Sequence, residues 1–239
     1  MPTRSPLVLL VAGAAAVTVV VAVVALVAGA PWWLVVVVAP LVGGVPALLV
    51  HRHATRRVLD LLGARLLDPD DAPRLANIVD GLCIGHGYRM PRLAVVDSPA
   101  IDCALVGHGP GDAHLVVTTG LLESLERLEI EAVVARGLVV LREHMARATE
   151  LAAVAALLGR GERAGRLVRA FCDPRPVFDA DIDGVGLTRY PPALASAFAK
   201  AGEAGPPPGP PPTRHLWLIG GDDELRPPLE TRIDVLREL

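Results

Sequence analysis

The stretch VVTTGLLESLERLEIEAVVARGLVVL, residues 116–141, decides the fold because its apolar residues change period part-way along it. It begins inside a β-prone run at residues 115–118 and continues from Leu121 with apolar residues at helical spacing. Glu129 and Glu131 open the helix, where carboxylates favour the positive end of the helix dipole. Its apolar stripe comprises Ile130, Val133, Val134, Gly137, Leu138 and Leu141. A strand that leads directly into an amphipathic helix predicts a domain built from both.

The elements on either side extend this pattern. Two further β-prone runs, residues 93–96 and 104–106, are separated by Pro, Gly and Asp clusters and predict a small sheet. Helical spacing and helix-start residues predict helices over residues 55–66, 73–85, 191–202 and 229–239, with an apolar core run at 151–158. The predicted fold class is therefore α+β, mainly α.

The first 50 residues form a separate apolar segment, since they contain one charged side chain, Arg4, while the other 189 residues hold 22 basic and all 26 acidic groups. Residues 7–30 offer 24 uncharged positions and residues 32–50 another 19. As helices these measure about 36 and 28 Å, against a hydrocarbon core of about 30 Å. Residues 1–50 therefore predict a membrane anchor, a hairpin of two transmembrane helices in contact with the lipid bilayer. A cleavable signal peptide is the alternative, but its shorter apolar region is not normally followed at once by another.

Basic residues flank both outer ends of the hairpin. Arg4 precedes the first span, Arg52, Arg56 and Arg57 follow the second, and the turn between the spans is uncharged. Because basic flanks stay in the cytoplasm, we expect a multi-pass protein of the cell membrane whose polar domain faces the cytoplasm. Three cysteines without CxxC spacing suit this reducing compartment, since they fit neither a disulfide framework nor a zinc ribbon.

The remaining residues predict one polar domain with a net charge of −4, which disfavours a nucleic-acid partner. Residues 51–203 are its predicted core. Residues 204–213, which begin AGPPPGPPP, predict a stiff, exposed Pro-rich connector. Residues 214–239 then supply a strand-like HLWLIG and a last helix, both expected to pack on the core.

Residues 116–141 resemble the HtpX-like family of membrane zinc metallopeptidases, relatives of the CaaX prenyl endopeptidases. That family usually reads VTTGLL, a short acidic helix, and then AHExxH on a helix. FDADIDGVGLTRYPPALASAF, residues 178–198, resembles the family's second block, and RPPLETRIDVLREL, residues 226–239, resembles its C-terminal block. The resemblance implies a zincin-like (gluzincin) domain and, for active members, a zinc-dependent metalloendopeptidase.

The family motif departs from this sequence at each metal-binding position. Its first His corresponds to Arg136, its general-base Glu to Gly137, its second His to Val140 and its third ligand, a Glu, to Val177. Arginine has five N–H donors and no lone pair, while Gly and Val side chains contain no ligand atom. We therefore expect no zinc cofactor at this position, no catalytic residue, and a pseudopeptidase with a binding or regulatory function.

Surviving acidic residues suggest what replaces the metal. Asp181 matches an aspartate that supports the site in active relatives, and Asp179 lies two residues before it. We expect Arg136 to pair with one of these carboxylates, because a partly buried guanidinium needs an acidic partner.

The family's substrate-binding edge strand corresponds to Asp102, Cys103, Ala104 and Leu105. An exposed edge would receive an extended peptide through main-chain hydrogen bonds, so an extended peptide or a membrane protein is the expected partner. Two alternatives stay open: an active zinc endopeptidase with substitute ligands, for which His144 offers one, and a purely structural membrane protein. Solvated or capping roles are expected for the other histidines, His51, His53, His86, His108 and His114.

Overall fold

The chain is described by a computed structural model that covers residues 7–173, 176–220 and 225–239. The helices are α1 Leu7–Val27, α2 Trp32–Arg52, α3 Ala54–Leu62, α4 Pro73–His86, α5 Thr119–Ser124, α6 Arg127–Glu143, α7 Met145–Ala155, α8 Glu162–Phe171, α9 Pro176–Thr188, α10 Pro191–Ala204 and α11 Leu229–Arg237. The strands are β1 Arg65–Leu66, β2 Arg92–Val96, β3 Cys103–Val106 and β4 His114–Thr118. Short 3-10 turns cover Pro69–Asp71, Ala156–Leu158 and Pro211–Leu216. The prediction of a mainly helical fold with a small sheet is confirmed.

The sheet is mixed, and its strands β2, β3 and β4 are largely buried on both faces. Its strand order is β1-β2-β4-β3, with β2 and β4 parallel and the other two pairs antiparallel. Alternate side chains such as Leu105 and Leu115 pack on the main core with α4, α6 and α10. The intervening ones, such as Ala104 and Val116, pack against α3, α7 and Trp217. Burial on both faces explains why the strands read as nearly continuous apolar runs.

The two N-terminal helices pack against each other and leave apolar side chains exposed around them. Both are long and apolar enough to cross a bilayer. The two helices approach each other closely at Gly43 of α2, because a Cβ there would lie 2.3 Å from the carbonyl oxygen of Ala14 and from Oγ1 of Thr18. Small residues at such contacts are typical of helix packing in membranes.

Several predicted boundaries were wrong. The helix expected over 55–66 ends at Leu62, because Gly63 takes a left-handed conformation, and residues 65–66 pair with β2 instead. The strand expected at 215–220 is a 3-10 turn followed by a single bridge between Trp217 and Ala104. The basic stretch after residue 160 contains α8, a helix that was not predicted. The Pro-rich connector is partly packed, because Trp217 Nε1 donates a hydrogen bond to the Pro208 carbonyl.

The close approach at Gly43 predicts a stability difference between neighbouring glycines. Gly43→Ala places a methyl group against the α1 backbone and should lower the free energy of unfolding by about 1–3 kcal/mol. Gly44→Ala is the matched control, because a Cβ there meets nothing within 4 Å. Thermal unfolding in detergent micelles measures both variants. Equal unfolding temperatures would contradict the packing described here.

A buried histidine predicts a pH dependence. His215 Nε2 lies 2.9 Å from the Ala148 carbonyl on α7, a contact in which the ring donates, and burial lowers the pKa of His215 to about 4. Because the unfolded imidazole binds a proton near pH 6.5, this contribution to stability is complete above that pH and is lost as pH falls towards 4. The loss should reach about 2 kcal/mol at pH 5.

His215→Gln keeps an N–H donor without a titrating ring. Its unfolding temperature should therefore fall less between pH 7 and pH 5 than that of the unaltered chain. His86→Gln, which changes an exposed histidine, serves as control. If His215→Gln and the unaltered chain lose stability in parallel, His215 is not the group responsible.

Candidate functional site

A buried ion cluster includes Arg136, the residue that the resemblance aligns with the family's first metal-binding histidine. Arg136 on α6 donates from Nε to Oδ1 of Asp181 on α9. Arg232 on α11 donates to the same carboxylate twice, from Nε to Oδ2 at 2.7 Å and from Nη2 to Oδ1 at 2.9 Å. The side chains of Arg136 and Arg232 are 0% exposed and that of Asp181 is 3% exposed. One carboxylate therefore lies between two guanidinium groups in the interior.

Local sequence brings these helices together. Gly184 lets α9 approach α6 closely, since a Cβ there would lie 2.7 Å from the Cα of Arg136. The face of Phe198 on α10 lies 4.2 Å from the Arg232 guanidinium carbon, which adds a cation–π contact. Burial alone would raise the pKa of Asp181, but the charges of Arg136 and Arg232 outweigh it and hold that pKa below its ordinary value.

Asp179, the other expected partner of Arg136, is exposed on α9. Only Asp181, of the two candidate carboxylates, contacts Arg136 in the structure.

Two other positions of the family motif, Val140 and Val177, line a small cavity. Its volume is about 20 Å³, space for little more than one water molecule. Apolar side chains, including Leu105, Leu218 and Leu225, form part of its wall, and polar ones also line it: His144, Cys172, His215 and Arg226. A Cβ on Gly137 would lie 3.3 Å from Cδ1 of Leu218 and 3.5 Å from Cδ1 of Leu105. A glutamate at residue 137 would therefore compete for space with Leu218.

The edge strand is covered by the chain itself. β3 is the last strand of the sheet, and its outer edge carries the bridge from Ala104 to Trp217. The Leu218 amide donates to the Cys103 carbonyl at 2.8 Å. The open edge expected at Asp102, Cys103, Ala104 and Leu105 is thus absent, because these residues are buried beneath residues 217–220.

Asp102 forms hydrogen bonds that hold residues 217–220, the covering segment, against the sheet edge. Its carboxylate accepts from the amides of Leu218, Ile219 and Gly220 at 3.0, 2.9 and 2.7 Å. Burial raises the pKa of Asp102, although Arg226 and these backbone donors act in the opposite direction. From the other side, Nη1 of Arg232 donates to the Ile219 carbonyl at 2.8 Å. The covering segment is therefore hydrogen-bonded to both the sheet edge and the ion cluster.

A second polar cluster was not predicted from the sequence. It consists of His51 at the end of α2, His108 in the β3–β4 loop and Glu150 on α7. Each residue offers one metal-ligand atom, and these three atoms lie within 4.8 Å of one another. Burial raises the pKa of Glu150, while the two imidazoles act in the opposite direction. These residues are far apart in the sequence and have no motif spacing, so only the tertiary structure identifies the group. His53, His86, His114 and His144 lie outside it.

Several known proteins are similar to this chain. Over 151 residues, 62% of this chain, it is 30% identical to the Protease HtpX homolog of Streptococcus pneumoniae strain Taiwan19F-14, and equally to that of strain Hungary19A-6. Over these residues the chain is similar to the HtpX-like family. It spans about half the length of these curated relatives, since the matched residues cover 50% of each. No protein-family model matches the chain.

This similarity bears on the ion cluster. The similar proteins are named as proteases, and in this chain Arg136, which the resemblance aligns with the family's first histidine, is fully buried. A buried guanidinium requires a buried anion, which Asp181 supplies.

Removing the negative charge of Asp181 should lower the stability of the domain. Asp181→Asn leaves Arg136 and Arg232 buried without a counter-charge and should lower the free energy of unfolding by about 3–5 kcal/mol. Asp179→Asn removes an exposed carboxylate from the same helix and should change it by less than about 0.5 kcal/mol. Thermal unfolding in detergent at pH 7 compares the two. Equal losses would show that the cluster does not stabilise the fold.

Proposed function

We propose that this chain is a membrane-anchored HtpX-like protein with a zincin-like domain that does not hydrolyse peptides at the family's catalytic position and acts instead as a binding or regulatory pseudopeptidase. The observation that carries the proposal is the contact between Arg136 and Asp181 inside the domain. A guanidinium offers only N–H donors, so it repels a divalent cation at the place where the family needs a ligand lone pair.

The missing general base supports the same conclusion. Hydrolysis by a zincin requires a carboxylate beside the metal-bound water to accept its proton. In this chain that position is Gly137, and the adjoining volume is filled by Leu218 and Leu105. A metal held by other residues would still lack a base at this point of the helix.

The covered edge strand bears on how a partner would bind. An extended peptide would have to displace residues 217–220 from β3 and break the hydrogen bonds to Asp102 and Cys103. We therefore assign binding to another surface of the domain or to the hairpin, whose outer faces are apolar. Residues 1–50 would anchor the chain as a two-span protein of the cell membrane, with residues 51–239 on the cytoplasmic side.

A second candidate function is a zinc endopeptidase with substitute ligands. The group His51, His108 and Glu150 favours it, since two imidazoles and one carboxylate form a common zinc donor set. That group lies on α2, α7 and the β3–β4 loop, so its metal would not occupy the family position on α6. A purely structural role is the third possibility and predicts no enriched partner when the chain is captured from detergent extracts.

Hydrolysis by the full chain decides between these functions. In detergent micelles with added Zn²⁺, the purified chain should cleave unfolded casein no faster than the same sample with a chelator. A Streptococcus pneumoniae Protease HtpX homolog is the positive control. Chelator-sensitive cleavage by the unaltered chain would refute the proposal, and its loss in His108→Gln would then favour the substitute-ligand enzyme.

A gain of activity provides the complementary measurement. The variant combines Arg136→His, Gly137→Glu, Val140→His and Val177→Glu with Leu218→Ala, which makes room for the glutamate. It should acquire zinc-dependent cleavage, while the same variant with Gly137→Gln should bind zinc without cleaving, because the amide cannot act as base.

A further inference from the structure

Three side chains meet where the hairpin joins the polar domain. His51 is in the last turn of α2, His108 follows β3, and Glu150 is on α7. Nδ1 of His51 lies 3.2 Å from Oε1 of Glu150, and Nε2 of His108 lies 4.0 Å from the same oxygen. The ring centroids of the two histidines are 4.7 Å apart. The three residues thus converge on one small volume.

The separations are close to those of a metal site. Tetrahedral zinc with bonds of about 2.0–2.1 Å holds its ligand atoms about 3.4 Å apart. One donor atom from each residue lies within 4.8 Å of the other two, so shifts of about 1 Å or less per side chain close the geometry. Such shifts are within the reach of ordinary side-chain rotation.

Hydrogen bonding outside the cluster fixes which nitrogen of His108 faces inward. The Thr55 hydroxyl donates its single proton to Oδ2 of Asp112 at 2.6 Å, because a carboxylate only accepts. Nδ1 of His108, 3.0 Å from the same hydroxyl oxygen, must therefore be the donor in that contact. Nε2 of His108 is left with its lone pair directed at Glu150. Metal-binding histidines are oriented in the same way by an outer acceptor.

The loop carrying His108 is held rigidly against α7. The Gly107 amide donates to Oγ1 of Thr149 at 2.9 Å, which places the following histidine beside the glutamate that follows Thr149. Gly107 has a φ of 154°, and a Cβ there would lie 2.3 Å from the Asp112 carbonyl oxygen. The backbone geometry of this loop therefore requires glycine.

The two inward nitrogens differ in their hydrogen bonding within the described chain. Nε2 of His108 is buried without a hydrogen-bond partner, whereas Nδ1 of His51, 3.2 Å from Oε1 of Glu150, donates to that carboxylate only in its Nδ1–H tautomer. The Glu150 side chain is only 6% exposed. A divalent cation would bind the lone pairs of both imidazoles and of Glu150 at once.

We propose that His51 Nδ1, His108 Nε2 and a carboxylate oxygen of Glu150 bind one divalent cation of the zinc class and thereby join the end of α2 to the polar domain. Two imidazoles favour zinc and its borderline neighbours over Mg²⁺ or Ca²⁺, which prefer oxygen ligands. This site is independent of the proposed function, because it involves neither Arg136 nor the α6 motif.

Metal binding by the full chain tests the site. Protein without a His tag, purified in detergent and stripped with a chelator, is dialysed against Zn²⁺ or Mg²⁺, and bound metal is measured by mass spectrometry. We expect about one Zn²⁺ per chain, no comparable Mg²⁺, and a rise in Tm of about 5 °C or more when zinc is well above its Kd. Less than about 0.1 Zn²⁺ per chain together with an unchanged Tm would overturn the proposal.

Single variants locate the metal. His108→Gln and Glu150→Gln should each weaken zinc binding at least tenfold, and Thr55→Val should weaken it about 10–100-fold by releasing the His108 ring. His53→Gln is the matched control, an exposed histidine two residues from His51. Zinc that stays bound in His108→Gln with unchanged Kd would overturn the proposal, whether or not the chain hydrolyses casein. If a variant fails to fold, the rise in Tm that Zn²⁺ causes in the unaltered chain still tests the proposal.

Discussion

The buried carboxylate of Asp181 is the constraint on which the rest of the domain depends. Two arginines share it, one from α6 and one from α11, so three helices meet at a single pair of oxygen atoms. Desolvating these ions costs free energy, and the bidentate contact from Arg232 recovers part of it. Such a cluster fixes how the helices are arranged more than it stabilises the fold. Apolar side chains of equal volume in its place would give similar stability, whereas removing one member of the cluster would lower the stability.

The same cluster determines the position of the C-terminal segment. Arg232 binds the carbonyl of Ile219 on one side, while Asp102 binds the amides of residues 218–220 on the other. Leu218 is thereby held above Gly137 and beside Leu105. Leu218 therefore occupies the space beside Gly137, and the segment that carries it also covers the edge strand β3.

Periodicity in the sequence was enough to predict α6, α4, α10 and the three main strands, because each has a strong apolar pattern and a recognisable start. It failed at residues 211–220, where hydrogen bonds to Pro208, Asp102 and Cys103 replace a regular ladder. Local pattern has no information about such long-range partners.

The candidate functional site was likewise only partly predictable from the sequence. Motif spacing located Arg136 and its two possible acidic partners, but exposure of Asp179 and burial of Asp181 follow from how α9 packs on α6. The group of His51, His108 and Glu150 joins residues up to 99 positions apart and has no local signature.

The two clusters differ in how donors and acceptors are matched. At Asp181 the Nε of Arg136 and the Nε and Nη2 of Arg232 donate to the carboxylate, so neither a proton nor a metal is needed to hold the groups together. Nη1 and Nη2 of Arg136 are buried without a hydrogen-bond partner among the described residues. At His51, His108 and Glu150 the facing atoms are one carboxylate oxygen and two ring nitrogens, so a proton on Nδ1 of His51 or the proposed cation is needed to hold them together. Because His51 lies in the last turn of α2 and Glu150 belongs to α7, the proposed cation would also link the hairpin to α7. The second cluster therefore joins the end of α2 to the polar domain, whereas the first joins three helices inside that domain.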